Sequence, residues 1–574
     1  MGNKIICFLA LLIFGNATAQ TVITNVTILD VANTHLINHQ TVLVEGNTIK
    51  SITPSGKFKT PAHTRIIDGT NKFLMPGLID AHAHPWDGDM YSDDGIDLTK
   101  YKSFQNAIDE SKARLATNYK RFLQCGITTV ISPGTTNSTF RISDSLAKQS
   151  SMPTLYMAGK LISVSDFGNP HNLSPDDEYF DYAANVDAAK NIVQNQLKLH
   201  PSFIKVLFVP DLTWQHIEDS ARSKYPIVKA IIDEAHRNGL KVAVHATERI
   251  TAQLAVEAGC DYLAHGIHDE VVEQDFINLL KQNQTILCPT SNVEYPILRA
   301  YTQNPAYTTY ELQHANPFVV KTFFDLEDLD SALFRQTKLK WESGKRIFKR
   351  DSIRLINLKK LENAGVRIAA GTDVGSLGDM PAASYLPELL KMKQSGMDNW
   401  QIIKSATLSP TYFINKQNAL GTIATGKIAD MILLNKNPVD ELENLNDIAL
   451  VFKNGVPILP DTLMSESPEM AVQRLWNAYN AKNSLAFFSC VAPDIKMYTS
   501  ADSNLYQGLK EVEEKYTSQL QKTSKTHCEI KSRMVSGDTV VDKVIIKESG
   551  KLTNEQIIVY KINGHKIISI CFIK

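Results

Sequence analysis

The sequence predicts an α/β protein: a (β/α)8 barrel with a small β-sandwich domain built from both of its flanks, followed by a separate α+β domain. Three observations carry this expectation. Eight short apolar runs rich in β-branched residues alternate with amphipathic helical stretches, the pattern of βα units around a parallel sheet. A β-rich texture punctuated by turns stands before those units and returns after them. Beyond Leu459-Pro460 the order changes to helix first, then alternating strands.

The 574 residues suffice for three or four domains at about 150 residues each. Sixty Lys and Arg against 61 Asp and Glu leave a net charge of -1, so no global field draws the chain to nucleic acid or an anionic membrane. Neither is expected as a partner. With 43% hydrophobic and 21% charged residues, the composition builds large cores rather than disorder. The 7 cysteines are too sparse for a disulfide scaffold and form no CxxC pair.

Residues 1–19 read as an export signal. Lys4 precedes an apolar run from Ile5 to Phe14, and Ala17-Thr18-Ala19 supplies the small residues of a cleavage site after Ala19. The run is far shorter than the about 20 apolar residues a bilayer span needs. A periplasmic or secreted protein is expected.

The β domain is assigned to 20–75 and 418–460. Its runs are Val26-Thr27-Ile28-Leu29, Thr41-Val42-Leu43-Val44 and Ile49-Lys50-Ser51-Ile52, matched late in the chain by Met431-Ile432-Leu433-Leu434 and Val451-Phe452-Lys453. The barrel is assigned to 76–417, with strands drawn from 74–84, 127–132, 154–162, 203–209, 242–247, 262–267, 285–289 and 366–373. Between the last two, 291–350 is a polar insertion bearing Tyr295, Tyr301, Tyr307 and Trp341, long enough to cover the barrel mouth.

Chemistry gathers at the strand ends. His82 and His84 are two apart on one strand, so their imidazoles point to the same side. Lys205 lies in Phe203-Ile204-Lys205-Val206-Leu207, where a charge needs a partner or a task. His245 ends the fifth strand, His265 follows the sixth and Asp373 ends the eighth. Singly each has an ordinary structural reading. Together at one mouth, four His and an Asp suit a borderline metal ion.

These residues stand in Pro76-Gly77-Leu78-Ile79-Asp80-Ala81-His82-Ala83-His84, Ile204-Lys205-Val206, Val244-His245-Ala246, Ala264-His265-Gly266 and Ala370-Gly371-Thr372-Asp373. With Ser405-Ala406-Thr407 and Gly426-Lys427-Ile428-Ala429-Asp430-Met431, they resemble the amidohydrolase superfamily in its imidazolonepropionase-like and dipeptidase-like branch. The resemblance implies two divalent metal ions, zinc in expectation. His82, His84 and Asp373 would hold the deeper ion, and His245 and His265 the outer one. Lys205, carbamylated by CO2, would bridge them. It further implies a hydroxide shared by the two ions and a catalytic Asp373 that passes its proton to the leaving amine. Dipeptidase-like relatives hold the substrate carboxylate with a histidine after the third strand. His171, in Gly168-Asn169-Pro170-His171, is the substrate-binding candidate here, although the surrounding sequence departs from the usual Gly-Gly-His run. Thr247 stands where relatives often carry Tyr.

Residues 468–574 open on an amphipathic helix over 468–488, with a second over 508–519. Alternating strands at 539–547, 555–562 and 566–573 follow, the last two joined by Asn563-Gly564. With Trp476-Asn477-Ala478-Tyr479-Asn480, Ala492-Pro493-Asp494 and Gly508-Leu509-Lys510-Glu511-Val512, this segment resembles the NTF2-like, SnoaL-like cone fold. Such domains dimerise or hold small molecules, so a homo-oligomer through this domain or the barrel is an expectation.

The resulting expectation is an exported two-metal hydrolase of a small amide, a dipeptide or N-acyl amino acid. A cyclic-amide hydrolase of imidazolonepropionase type is one alternative. Lys205 points away from it, because that branch contains one-metal members without the lysine. A non-catalytic binding protein working through the C-terminal domain is the alternative of a different class.

Overall fold

The computed structural model describes residues 20–573 apart from 62–63, 85, 93–95, 171, 212–214, 343–344, 501, 523–525 and 549–550. The expected export signal and His171 therefore lie outside the described residues.

The two flanks of the barrel join in one eight-stranded mixed sheet. Phe73–Pro76 of the leading flank pairs antiparallel with Met431–Leu434 of the trailing one, in the register Pro76 to Met431. Gln20–Asp30 pairs with His35–Glu45, whose other edge takes Thr48–Pro54. The β-branched residues that marked these strands in the sequence supply their core: Ile23, Val26, Ile28, Val42 and Val44 pack with Leu74, Met431, Leu433 and Phe452.

The run predicted as one strand over 74–84 is divided between two sheets. Phe73–Pro76 belongs to the flanking sheet, and Leu78–Asp80 begins the barrel. The change of partner falls at Gly77, where a Cβ would collide with the Thr128 side chain. From there parallel strands follow in order: Ile127–Ser132, Thr154–Met157 continued by Leu161–Ser163, Ile204–Leu207, Val242–His245, Tyr262–Ala264 and Ile286–Cys288. The predicted eighth strand is not a regular strand but closes the ring by backbone hydrogen bonds. Leu287 N–H donates to Arg367 O at 3.0 Å, Ala369 N–H to Leu287 O at 2.8 Å, and Ala81 N–H to Ala370 O at 2.9 Å. Phe203 and Ala243 pack inside the barrel with Tyr262 and Ala369. Lys205 and His245, two residues further along the same strands, point the same way.

The insertion after the seventh strand folds into short helices, Glu294–Thr302, Thr309–His314, Pro317–Thr322, Leu326–Leu329 and Ser331–Glu342. The C-terminal domain packs on them. Its first predicted helix is two, Pro468–Asn480 and Ser484–Ser489. Lys482 adopts a left-handed φ of 56°, and the Asn483 side chain caps the second helix by accepting from Ala486 N–H at 2.9 Å. A six-stranded sheet follows, with Lys566–Ile573 between Val491–Thr499 and Lys551–Asn563.

Arg474 ties the domain to the insertion: its Nη1 donates to Leu312 O at 2.7 Å and Ala315 O at 2.9 Å, while its guanidinium pairs with Glu466. Asn477 Nδ2 donates to Pro317 O at 2.7 Å. One apolar core runs without a break from Tyr301, Leu312 and Phe323 of the insertion to Val472, Leu475 and Phe487 of the domain. Among the described residues no helix is long and apolar enough to cross a membrane.

Candidate metal centre

Asp373 is the hub of the site. Its Oδ1 lies 3.0 Å from His82 Nε2 and 3.3 Å from His84 Nε2, and its Oδ2 lies 3.8 Å from His265 Nδ1. One ligand atom from each of His82, His84 and Asp373 falls within 4.8 Å of the others, close enough to hold one ion. The backbone brings them together: Asp373 N–H donates to His82 O at 2.6 Å and His84 N–H to Val374 O at 2.7 Å. His245 stacks edge-on against His265 at 4.3 Å between ring centroids, and His265 lies 5.0 Å from His82. The four imidazoles thus form one chain around the mouth.

Hydrogen bonds on the far ring nitrogens decide which atom faces inward. His84 Nδ1 lies 2.8 Å from the Gly134 carbonyl, which can only accept, so Nδ1 carries a proton and Nε2 is the atom turned toward Asp373. His265 Nδ1 lies 2.8 Å from Thr290 Oγ1. His82 Nδ1 is buried without a hydrogen-bond partner among the described residues. His265, Asp373 and Thr290 all hold positive φ, at 78°, 62° and 40°. Such backbone strain concentrates at functional sites.

The electrostatics suit a cation. Burial, and then the charge of Lys205, lowers His82 to about 3 and His245 to about 4, so both rings are neutral lone-pair donors at neutral pH. His265 is pushed well below its ordinary value, first by burial and then by His245. Burial works against ionisation of Asp373, but His82, His84 and His265 outweigh it and hold the carboxyl well below the usual range. Lys205 is 2% exposed, and its Nζ has no hydrogen-bond partner among the described residues. Burial lowers it to about 8. It stands opposite Ala243 on the strand beside Val242–His245, and its charge lowers His82, His245 and His265.

Beneath the ligands lies a residue that the motif contains but whose role the sequence reading did not draw out. Asp80 is fully buried and accepts from Thr372 Oγ1 at 2.8 Å, Thr372 N–H at 3.1 Å and His82 N–H at 3.3 Å. Burial raises it to about 7 despite those bonds. The signal was available: an acid two residues before His82 on an apolar strand shares its face. Trp86 was also passed over. Its ring stacks on His84 at 5.7 Å with planes 3° apart.

The donor set of His82, His84 and Asp373, imidazole nitrogens with an ionised carboxylate, fits a divalent metal ion. The comparisons agree with this chemistry. The amidohydrolase family matches residues 73–458, and a SnoaL-like domain matches residues 472–570. No curated protein matches the chain. Among solved structures, a Xaa-Pro dipeptidase with methionine bound in its active site aligns at 20% identity and TM-score 0.59, covering 77% of this chain and 100% of that one. A putative prolidase from Bifidobacterium longum aligns at 20% identity and TM-score 0.57, covering 80% and 98%. The ochratoxinase of A. niger aligns at 18% identity and TM-score 0.57, covering 77% and 96%. With the family match spanning most of the chain and the site built at the mouth of its barrel, the protein belongs to the amidohydrolase family, as a metal-dependent C–N hydrolase carrying a C-terminal SnoaL-like domain.

Proposed function

We propose that this protein is an exported, two-metal hydrolase of small amides, with a dipeptide or an N-acyl amino acid as substrate. The observation that carries the reading is Lys205, an amine buried near imidazoles with no hydrogen-bond partner among the described residues. An ammonium left there would be a buried charge with no hydrogen bond among the described residues, only partly offset by the Asp373 carboxylate, at a cost of several kcal/mol. With the group lowered to about 8, roughly a tenth is free amine at pH 7. The amine lone pair adds to CO2, forming an N–C bond and losing a proton, and the product is an anionic carbamate with two oxygens. That converts a misplaced cation into a bridging ligand.

In this reading His82, His84 and Asp373 would hold one ion, His245 and His265 would hold the other, and carbamylated Lys205 would supply an anionic ligand to them. When bound, the ions supply Lewis acidity toward a carbonyl oxygen and make water acidic enough to act as a nucleophile at neutral pH. The Gly134 and Thr290 contacts keep His84 and His265 oriented. Asp373, ionised at neutral pH, accepts the proton that the attacking water releases and delivers it to the leaving nitrogen as the C–N bond breaks. Residues 1–19 act as the export signal in this proposal. His171 is kept as the carboxylate contact.

The test is a screen of the purified protein, loaded with zinc in the presence of bicarbonate, against dipeptides and N-acyl amino acids, with amine release as the readout. Cleavage that is lost on chelation supports the reading. Fully metal-loaded protein that releases no amine from any of them contradicts it.

A further inference from the structure

We propose that the cleft beside His84 is a charge-neutral subsite that seats a bulky apolar or aromatic substituent of the substrate, making amides of phenylalanine-sized residues preferred over those of acidic or basic ones. This rests on the amide-hydrolase reading and adds the class of side chain to it.

The cleft has a volume of about 320 Å³ and shares His84 with the ligand cluster. That volume lies at the small end of ligand pockets. One wall is a single face of the helix Phe104–Gln124: Phe104, Ile108, Ser111, Lys112 and Leu115 recur at three- and four-residue spacings. Tyr179 and Phe180 face the cleft from another side, and Tyr179 meets the Trp86 ring edge-on at 5.2 Å. The insertion adds Ile297, and the loop after Asp373 adds Leu377. Aromatic edges and faces with aliphatic neighbours are the surroundings that favour another ring.

The charges at the cleft are already engaged. Lys112 Nζ lies 2.7 Å from Asp109 and 3.1 Å from Asp177. Asp89 is held by Arg114 at 3.2 Å. A carboxylate or ammonium on the substrate would have to disrupt one of these pairs, whereas a ring displaces nothing. Ser111 is 5% exposed, and its hydroxyl has no partner among the described residues.

The experiment has a kinetic arm and a binding arm, both on the purified metal-loaded protein. In the kinetic arm, Xaa-Gly and Gly-Xaa dipeptides with Xaa as Ala, Leu, Phe, Asp or Lys are compared by kcat/KM. In one of the two series Phe should exceed Ala by at least about tenfold, with Asp and Lys below Ala. Ile108→Trp, which fills the cleft, and Phe104→Ala, which widens it, should each bring the Phe-to-Ala ratio toward one. In the binding arm, 3-phenylpropionate and propionate, which contain no amide, are titrated calorimetrically. The ring should tighten binding at least about tenfold. Dipeptide cleavage with no preference for Phe, or equal binding of the two acids, overturns the subsite while leaving the amide-hydrolase reading intact. Tight 3-phenylpropionate binding without cleavage of any amide supports the subsite and overturns the activity.

Discussion

The Asp80 carboxylate accepts two hydrogen bonds from Thr372, from its hydroxyl at 2.8 Å and its backbone N–H at 3.1 Å, and so joins the first side of the barrel to the last. The next residue, Asp373, receives its position from that joint. Asp80→Asn keeps the size but removes an acceptor, leaving Thr372 with one good partner instead of two. The expected result is a loss of metal affinity and kcat/KM of about 10–100-fold in a folded protein, as for other groups that orient metal ligands from behind. Metal titration of the variant alongside circular dichroism checks it. Unchanged affinity would make Asp80 a core residue without influence on the ligands.

Lys205→Ala should remove the bridge. Activity is expected to fall on the order of 10³-fold or more, because in the proposed two-metal site the several kcal/mol that a second ion would contribute go with it. Metal content should drop at the same time, and bicarbonate should stimulate wild type but not the variant. A variant that keeps its metal and its activity would contradict the role given to Lys205.

Glu388 gives a pH dependence that is independent of the metal ligands. It is fully buried, accepts from Ser291 N–H at 2.9 Å and Asn292 N–H at 2.7 Å, and is raised by burial from 4.5 to about 7. The folded carboxyl is therefore the weaker acid. Between pH 4.5 and 7 the unfolded chain has released a proton that the folded chain still holds, so stability falls as pH rises through this window and levels off above it. The loss amounts to about 3 kcal/mol. Across the same window, denaturant titrations should show Glu388→Gln gaining on wild type by a similar amount. A constant difference between the two proteins would mean that Glu388 is ionised throughout.

Arg474→Ala tests whether the C-terminal domain supports the insertion. The substitution leaves Glu466 and the Leu312 and Ala315 carbonyls without their shared donor. It should cost about 3–5 kcal/mol, as breaking one side of a buried pair does. Because Ile297, on the same insertion, lines the cleft, KM should rise more than kcat falls, and proteolysis should begin within 294–342. Cleavage that starts elsewhere, with KM unchanged, would separate the domain from the site.

Much of the barrel was legible because alternating apolar runs and helices are a local pattern, and strand ends are where chemistry collects. His82, His84, Lys205, His245, His265 and Asp373 are all brought to one mouth. The eighth side was harder to read, since it is made by backbone bonds to Leu287 and Ala81 rather than by a regular strand. The role of Asp80 stayed hidden because its partner Thr372 lies 292 positions away. The face of Phe104–Gln124 that lines the cleft reads in sequence as any amphipathic helix does, and only the fold shows that it meets a cavity as well as the core. The docking of Arg474 on Leu312 joins residues 162 positions apart and left no local signal.

In the proposed mechanism two metal ions work in a site joined by modified Lys205. Metal analysis of the purified protein, taken with amide hydrolysis before and after chelation, tests it most directly. The expected result is close to two equivalents per chain, with metal and activity lost together and restored together by zinc and bicarbonate. Full activity in protein stripped to less than one equivalent would contradict the account.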